Sequence, residues 1–144
     1  MKLLIQRVKK ANVLVDKKIV ADISNGLLVF VGIEKNDTTQ IAQKLIDKLL
    51  KYRIFNDENN KMNLNVVDMN AEILLVSQFT LVADTKKGNR PGFQNAMSPK
   101  LAEFFFREFV QKVIKKHPQT QQGIFGADMQ VSLINDGPVT FLLD

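Results

Sequence analysis

The sequence predicts an α+β domain in which mostly antiparallel β-sheet forms a barrel-like core with two main helices packed outside it. Three observations lead there. Segments near both ends alternate apolar and polar residues with a period of two, two segments repeat apolar residues at helical spacing, and turn signals separate them. The chain has 144 residues, 45% of them apolar, enough to fill one core. No repeat, low-complexity tract or linker divides it, so one domain over residues 1–144 is expected.

In chain order, Ala11, Val13 and Val15 alternate with Asn12, Leu14 and Asp16 as a half-buried strand does. Asp16-Lys17-Lys18 reads as a tight turn into Ile19–Ile23, and Asn25-Gly26 as a hairpin turn, because both residues tolerate positive φ. Leu27–Ile33 is apolar throughout and fits a central strand. The first third therefore reads as a β-meander. Asp37 with Gln40 resembles a capping box, opening a helix whose stripe is Ile41, Leu45 and Leu49 with Ala42, Ile46 and Leu50, ending near Tyr52-Arg53. A polar turn, Asn56–Lys61, follows, and Ile73–Val82 is strand-like. Ser98-Pro99 starts a second helix, with Leu101, Phe105, Phe109 and Val113 as its buried face and Pro118 past its end. Phe104 and Phe106 widen its apolar surface, which fits a deeply buried helix. Met129, Val131 and Leu133 mark a strand, Asn135-Asp136-Gly137-Pro138 a turn, and Val139–Leu143 the last strand.

Composition narrows the chemistry. The chain has no cysteine and one histidine, His117, so thiolate sites, disulfides and two-histidine zinc motifs are excluded. No apolar stretch approaches the roughly 20 residues of a membrane helix, and the start turns polar too early for a signal peptide. A soluble, cytoplasmic protein with no membrane partner is expected. The formal charge of +5 favours contact with polyanions.

Four features depart from plain structure. Ser77-Gln78-Phe79-Thr80 interrupts an apolar strand, where unpaired polar groups cost about 1–3 kcal/mol each; alternation puts Ser77 and Phe79 on one face, and a wetted edge strand explains it as well as a site does. Gly137-Pro138 can hold a sharp turn that aims backbone carbonyls, or merely join two strands. The loop Asp84–Gly92 carries Lys86, Lys87 and Arg90, which could neutralise phosphates or simply be solvated. His117, at the end of the second helix, fits a dipole-complementing or exposed residue better than a catalytic base.

These stretches resemble the D-aminoacyl-tRNA deacylase family. The resemblance runs from Gln6-Arg7-Val8 and Gly26-Leu27-Leu28-Val29 through Arg53–Asp57, Lys61-Met62-Asn63, Ser77-Gln78-Phe79-Thr80-Leu81, Gly88-Asn89-Arg90-Pro91 and Phe125–Met129 to Asn135–Thr140. Departures are Met69-Asn70-Ala71-Glu72, where glycine is frequent, and Gly92, where serine is. The resemblance implies a homodimer that hydrolyses the ester between a D-amino acid and the terminal adenosine of tRNA, binding the acceptor end without cofactor or metal. It implies that Ser77, Gln78, Phe79 and Thr80 line the catalytic pocket, that Phe125 and Met129 border it, and that Gly137 and Pro138, joined by a cis peptide, enter from the partner subunit. Arg7 would support that turn, and Lys86, Lys87 and Arg90 would contact the tRNA.

Thr80 is the obvious side-chain nucleophile, yet a threonine hydroxyl is weak without a base. The substrate's neighbouring ribose hydroxyl is the favoured alternative, since a group already held in place supplies effective molarities of about 10⁵–10⁸ M. Two rivals from other classes stand beside deacylation: a non-catalytic nucleic-acid-binding module, and a small esterase acylated on Ser77 or Thr80.

Overall fold

A computed structural model describes residues 1–144. Strand β1 (Lys2–Val15) organises the sheet. Asp16 and Lys17, both with positive φ (49° and 65°), form the tight turn expected there and return the chain as β2 (Lys18–Ile23), paired with Ala11–Val15. Strand β3 (Gly26–Gly32) pairs antiparallel with Lys2–Val8 instead of with β2, so the expected meander is corrected to the order β2-β1-β3. The 14-residue β1 offers two successive pairing sites, and Gly26 serves not as a hairpin residue but as the first residue of a strand.

Helix α1 (Thr39–Lys51) leads to a small hairpin, β4 (Phe55–Asn56) and β5 (Met62–Leu64). Asp57 clamps its turn by accepting from the Lys61 and Asn59 N–H groups and the Asn63 amide; these bonds hold its carboxyl below the usual range. Strand β6 (Glu72–Ser77) then runs parallel to β3, and after helix α2 (Pro99–Lys116) strand β7 (Thr120–Gln122) runs parallel to β6. The sheet is mixed, where the sequence predicts a mostly antiparallel one. It nearly closes into a barrel. The Gln121 amide bridges its two ends, accepting from Asp22 N (2.9 Å) and donating to Asp22 O (2.5 Å). Strand β8 (Gln130–Leu143) pairs only with β1, so its other edge is free.

Strand β3 is apolar throughout because both faces are buried. Leu27, Val29 and Val31 meet the helices, while Leu28 joins Val8, Val13, Leu74 and Val76 inside the barrel. In α1 the buried stripe is Ala42, Leu45, Ile46, Leu49 and Leu50. Its cap is Thr38, whose hydroxyl accepts from Ile41 N (3.3 Å); the Asp37 carboxylate is instead drawn onto the Met1 ammonium. In α2 the buried face is Ala102, Phe106, Phe109, Val110 and Val113, whereas Leu101 and Phe104 are 61% and 56% exposed. The expected face is thus rotated and the helix is not deeply buried. Its apolar residues cover more than one face, and the packing of Phe106 on Phe125, 5.9 Å between centroids, fixes which one turns inward. His117 is buried, not exposed: its Nε2–H donates to Ala71 O at 2.7 Å, which makes it a tie between α2 and the start of β6.

Candidate functional site

The site begins where β6 runs out of partner. Gln78 N still donates to Val31 O (2.8 Å), but β3 stops at Gly32, and Phe79–Val82 coils into a 3₁₀ turn. The expected strand through Val82 is corrected accordingly: a strand buried on both faces cannot continue through Gln78 and Thr80 without unpaired polar groups. Gly32 permits the turn to lie over the strand end, since a β-carbon there would stand 2.9 Å from Leu81 Cβ and 3.0 Å from Val82 Cγ1. The first 3₁₀ residues have no preceding turn to bond to, so the Phe79 and Thr80 N–H groups find no acceptor in the chain.

This turn forms one wall of a cleft of about 680 Å³, with Val76, Ser77, Gln78 and Phe79 lining it. Phe93, Ala96, Met97 and Pro99, leading into α2, form a second wall; Phe93 meets Phe79 at 5.0 Å between ring centroids. Phe125, Ala127, Met129 and Val131 form the third. Thr80 lies at the lip, exposed, its hydroxyl 2.6 Å from the donating Gln78 Nε2. No lining residue is ionisable. Of the sequence-predicted residues, Ser77, Gln78, Phe79, Phe125 and Met129 meet here. The wall from Phe93 to Met97 escaped sequence reasoning, lying between the loop Asp84–Gly92 and the helix start at Ser98-Pro99; its one signal was an aromatic and a methionine.

Gly137 and Pro138 are elsewhere. Between the pairs Gln6↔Thr140 and Val8↔Asn135, strand β8 loops out four residues opposite the single residue Arg7, so the expected turn between two strands is a wide bulge within one. The Gly137-Pro138 peptide is cis, both residues are exposed, and neither reaches the cleft of its own chain. Asn135 closes the base of the bulge, its Oδ1 accepting from Val139 N (2.6 Å) and its Nδ2 donating to Val139 O (3.1 Å). The buried Arg7 guanidinium donates to Asp136 O (2.9 Å), Ile54 O (2.8 Å) and Asn56 Oδ1 (3.2 Å).

Lys86, Lys87 and Arg90 are exposed and form no ion pair. Their loop leaves the 3₁₀ turn and returns at Phe93, pinned at its base by the Asp84–Gly92 backbone pair (2.7 and 2.9 Å). It therefore connects two walls of the cleft. Of the departures from the family pattern, Asn70 takes a left-handed conformation (φ 46°), which asparagine tolerates. The atoms nearest a β-carbon on Gly92 would be those of the movable Gln94 amide.

Known proteins are similar to this chain in sequence and in fold. Residues 4–144 match the family model described as D-Tyr-tRNA(Tyr) deacylase. A D-aminoacyl-tRNA deacylase of Dichelobacter nodosus is 59% identical over 97% of this chain and 97% of its own. One from Francisella tularensis subsp. novicida is 56% identical over 96% and 95%. A solved structure of a c-Myc DNA Unwinding Element Binding Protein superposes with a TM-score of 0.96 at 39% identity, covering 100% of this chain and 98% of that one. A probable eukaryotic D-amino acid tRNA deacylase has a TM-score of 0.89 at 16% identity over 99% and 97%, a likeness of fold.

Proposed function

Because the chain belongs to the D-Tyr-tRNA(Tyr) deacylase family, we propose that it hydrolyses the ester between a D-amino acid and the terminal adenosine of tRNA in the cytoplasm, each cleft completed by the Gly137-Pro138 turn of a second copy. The enzyme is a hydrolase of the D-aminoacyl-tRNA deacylase class. The observation that carries the mechanism is a cleft lined by no ionisable side chain, beside a 3₁₀ turn whose first two N–H groups have no partner in the chain.

Ester hydrolysis needs a nucleophile, somewhere for oxyanion charge, and a proton for the leaving oxygen. The Phe79 and Thr80 N–H groups supply the second by donating to the developing oxyanion. The cleft offers no base to take a proton from Thr80, whose hydroxyl is already engaged with Gln78. The ribose hydroxyl beside the ester therefore activates water: water's oxygen bonds to the carbonyl carbon, the ester C–O bond breaks, and the proton water gives up passes through that hydroxyl to the freed ribose oxygen. Thr80→Ala is expected to lower single-turnover hydrolysis of D-tyrosyl-tRNA by less than about tenfold. A loss beyond about 10³ would return the chemistry to Thr80.

Dimerisation is supported by the free edge of the 14-residue β8, which would otherwise be an aggregation site, and by the exposed Ile134 and Leu142 on it. A rigid backbone wedge excludes an L side chain by contact and leaves a D side chain pointing outward. Glycine has nothing to exclude. Glycyl-tRNA is thus expected to be hydrolysed while L-alanyl-tRNA survives; equal survival of both would contradict the wedge. Lys86, Lys87 and Arg90 suit the acceptor-end phosphates, adding salt-sensitive affinity. The 39%-identical solved structure bears the name of a DNA-binding protein, and nucleic-acid binding without ester cleavage is the outcome that would favour that second reading.

A further inference from the structure

The cleft wall from Phe93 to Pro99 has no strand or helix of its own until α2 begins, so something else must set its position. That something is the turn Ile33–Asp37. Lys35 N donates to Asn95 O (2.9 Å), Met97 N donates to Ile33 O (3.1 Å), and Glu34 and Ala96 form an isolated bridge between these pairs. The turn is in turn held by a carboxylate. The Asp37 side chain, 3% exposed, accepts Glu34 N on Oδ2 (2.6 Å) and the Met1 ammonium on Oδ1 (2.5 Å), while Glu34 Oε2, on a side chain 34% exposed, takes the same ammonium at 2.6 Å. A buried carboxylate is costly to desolvate and persists only when paired, so this one is a fixed point and not a surface charge.

We propose that Asp37 is a positioning residue for the cleft: its charge, neutralised by the Met1 nitrogen, locks the Ile33–Asp37 turn, and the turn sets where Phe93, Ala96 and Met97 stand against Phe79. Asp37 does not line the cleft and acts through the backbone bonds that Lys35 and Ile33 make with Asn95 and Met97. Removing its charge lets the wall drift while the 3₁₀ turn, held by Val31 and Gly32, stays. Binding of the aminoacyl end is therefore weakened more than the chemical step. Blocking the Met1 nitrogen with a formyl or acetyl group removes the same pair from the other side and has the same consequence, so acylation at this nitrogen is a modification the site registers.

The inference rests on the deacylase reading for its kinetic arm and is independent of it for its structural arm. Asp37→Asn, Glu34→Gln and the Met1-acetylated protein are compared with wild type and with Ile46→Val, a core variant chosen to lose similar thermal stability. The readouts are KM and kcat for D-tyrosyl-tRNA and hydrogen exchange of the Lys35 and Met97 amides. Asp37→Asn is expected to raise KM about tenfold or more with kcat within about threefold, and to speed exchange at both amides. Glu34→Gln, more exposed, shows the same pattern in weaker form and serves if Asp37→Asn fails to fold. KM and exchange matching Ile46→Val would overturn the positioning role. Wild type that leaves D-tyrosyl-tRNA intact would overturn the deacylase reading, with the exchange data still deciding the brace.

Discussion

Gly26→Ala is expected to cost the protein much of its stability, since a methyl there meets the closest obstruction found at any of the seven glycines. A β-carbon at Gly26 would stand 2.0 Å from Glu72 O, 2.8 Å from Glu72 C and 3.0 Å from Glu72 N. All three are backbone atoms of the parallel neighbour, in register opposite Gly26. No side chain can swing away, so β3 and β6 must part at the point where β6 enters the sheet. Overpacking a core usually costs about 1–3 kcal/mol, and a backbone obstruction belongs at or above the top of that range. Against a total of roughly 5–15 kcal/mol this is a large share. With about 2–4 °C per kcal/mol for a chain of this size, the melting temperature falls by around 10 °C. Gly88→Ala is the control. Gly88 has φ +67° and nothing within 4 Å of a β-carbon, so it incurs only the left-handed penalty of about 1–2 kcal/mol. Calorimetry showing the two variants equally stable would refute the β3–β6 register.

The same glycine shows what the sequence could and could not convey. Asn25-Gly26 carries a genuine local signal, tolerance of positive φ, but the residue is used for a contact with a strand 46 positions away, and no local pattern encodes that. Leu27–Ile33 was legible as a central strand because burial on both faces leaves a continuous apolar run. The sheet order beyond it was not legible, because β6 joins it, and β7 joins β6, by parallel pairing across helical crossovers. In α2 periodicity gave a helix with the right start and end, and failed on which face is buried, since Leu101, Phe104, Phe105 and Phe106 offer apolar material on several sides. At the site, Ser77-Gln78-Phe79 stood out because polar residues in an apolar strand are costly. The Phe93–Pro99 wall did not, because its position depends on backbone bonds to Ile33–Asp37 that leave no trace in residue type.

Gly137→Ala is expected to leave the fold largely in place and to lower hydrolysis of D-tyrosyl-tRNA at least about a hundredfold, the loss that roughly 1 Å of misplacement produces in a positioned site. At φ +150° a side chain is strained, and its β-carbon would meet Val139 Cγ2 at 2.6 Å, Val139 N at 2.9 Å and Arg7 Nη2 at 3.4 Å. The bulge would have to reopen against the Asn135–Val139 clasp and the Arg7–Asp136 bond, both of which fix its direction. Gly137 and Pro138 are exposed and outside the core clusters, so stability is spared where aim is not. Residual hydrolysis should also discriminate less between D- and L-tyrosyl-tRNA, since the wedge itself has moved. The variant also tests whether the turn acts on its own chain or on another. Ala127→Trp is expected to fill the cleft and abolish hydrolysis while leaving its turn intact. Mixed and re-associated, the two impaired proteins would form hybrids in which one sound cleft faces one sound turn, but only if the turn is donated across the interface. Recovered D-tyrosyl-tRNA hydrolysis in the mixture is the expected result; a mixture as inactive as its parts, with hybrid dimers demonstrated, would place turn and cleft in the same chain and dismiss the composite site.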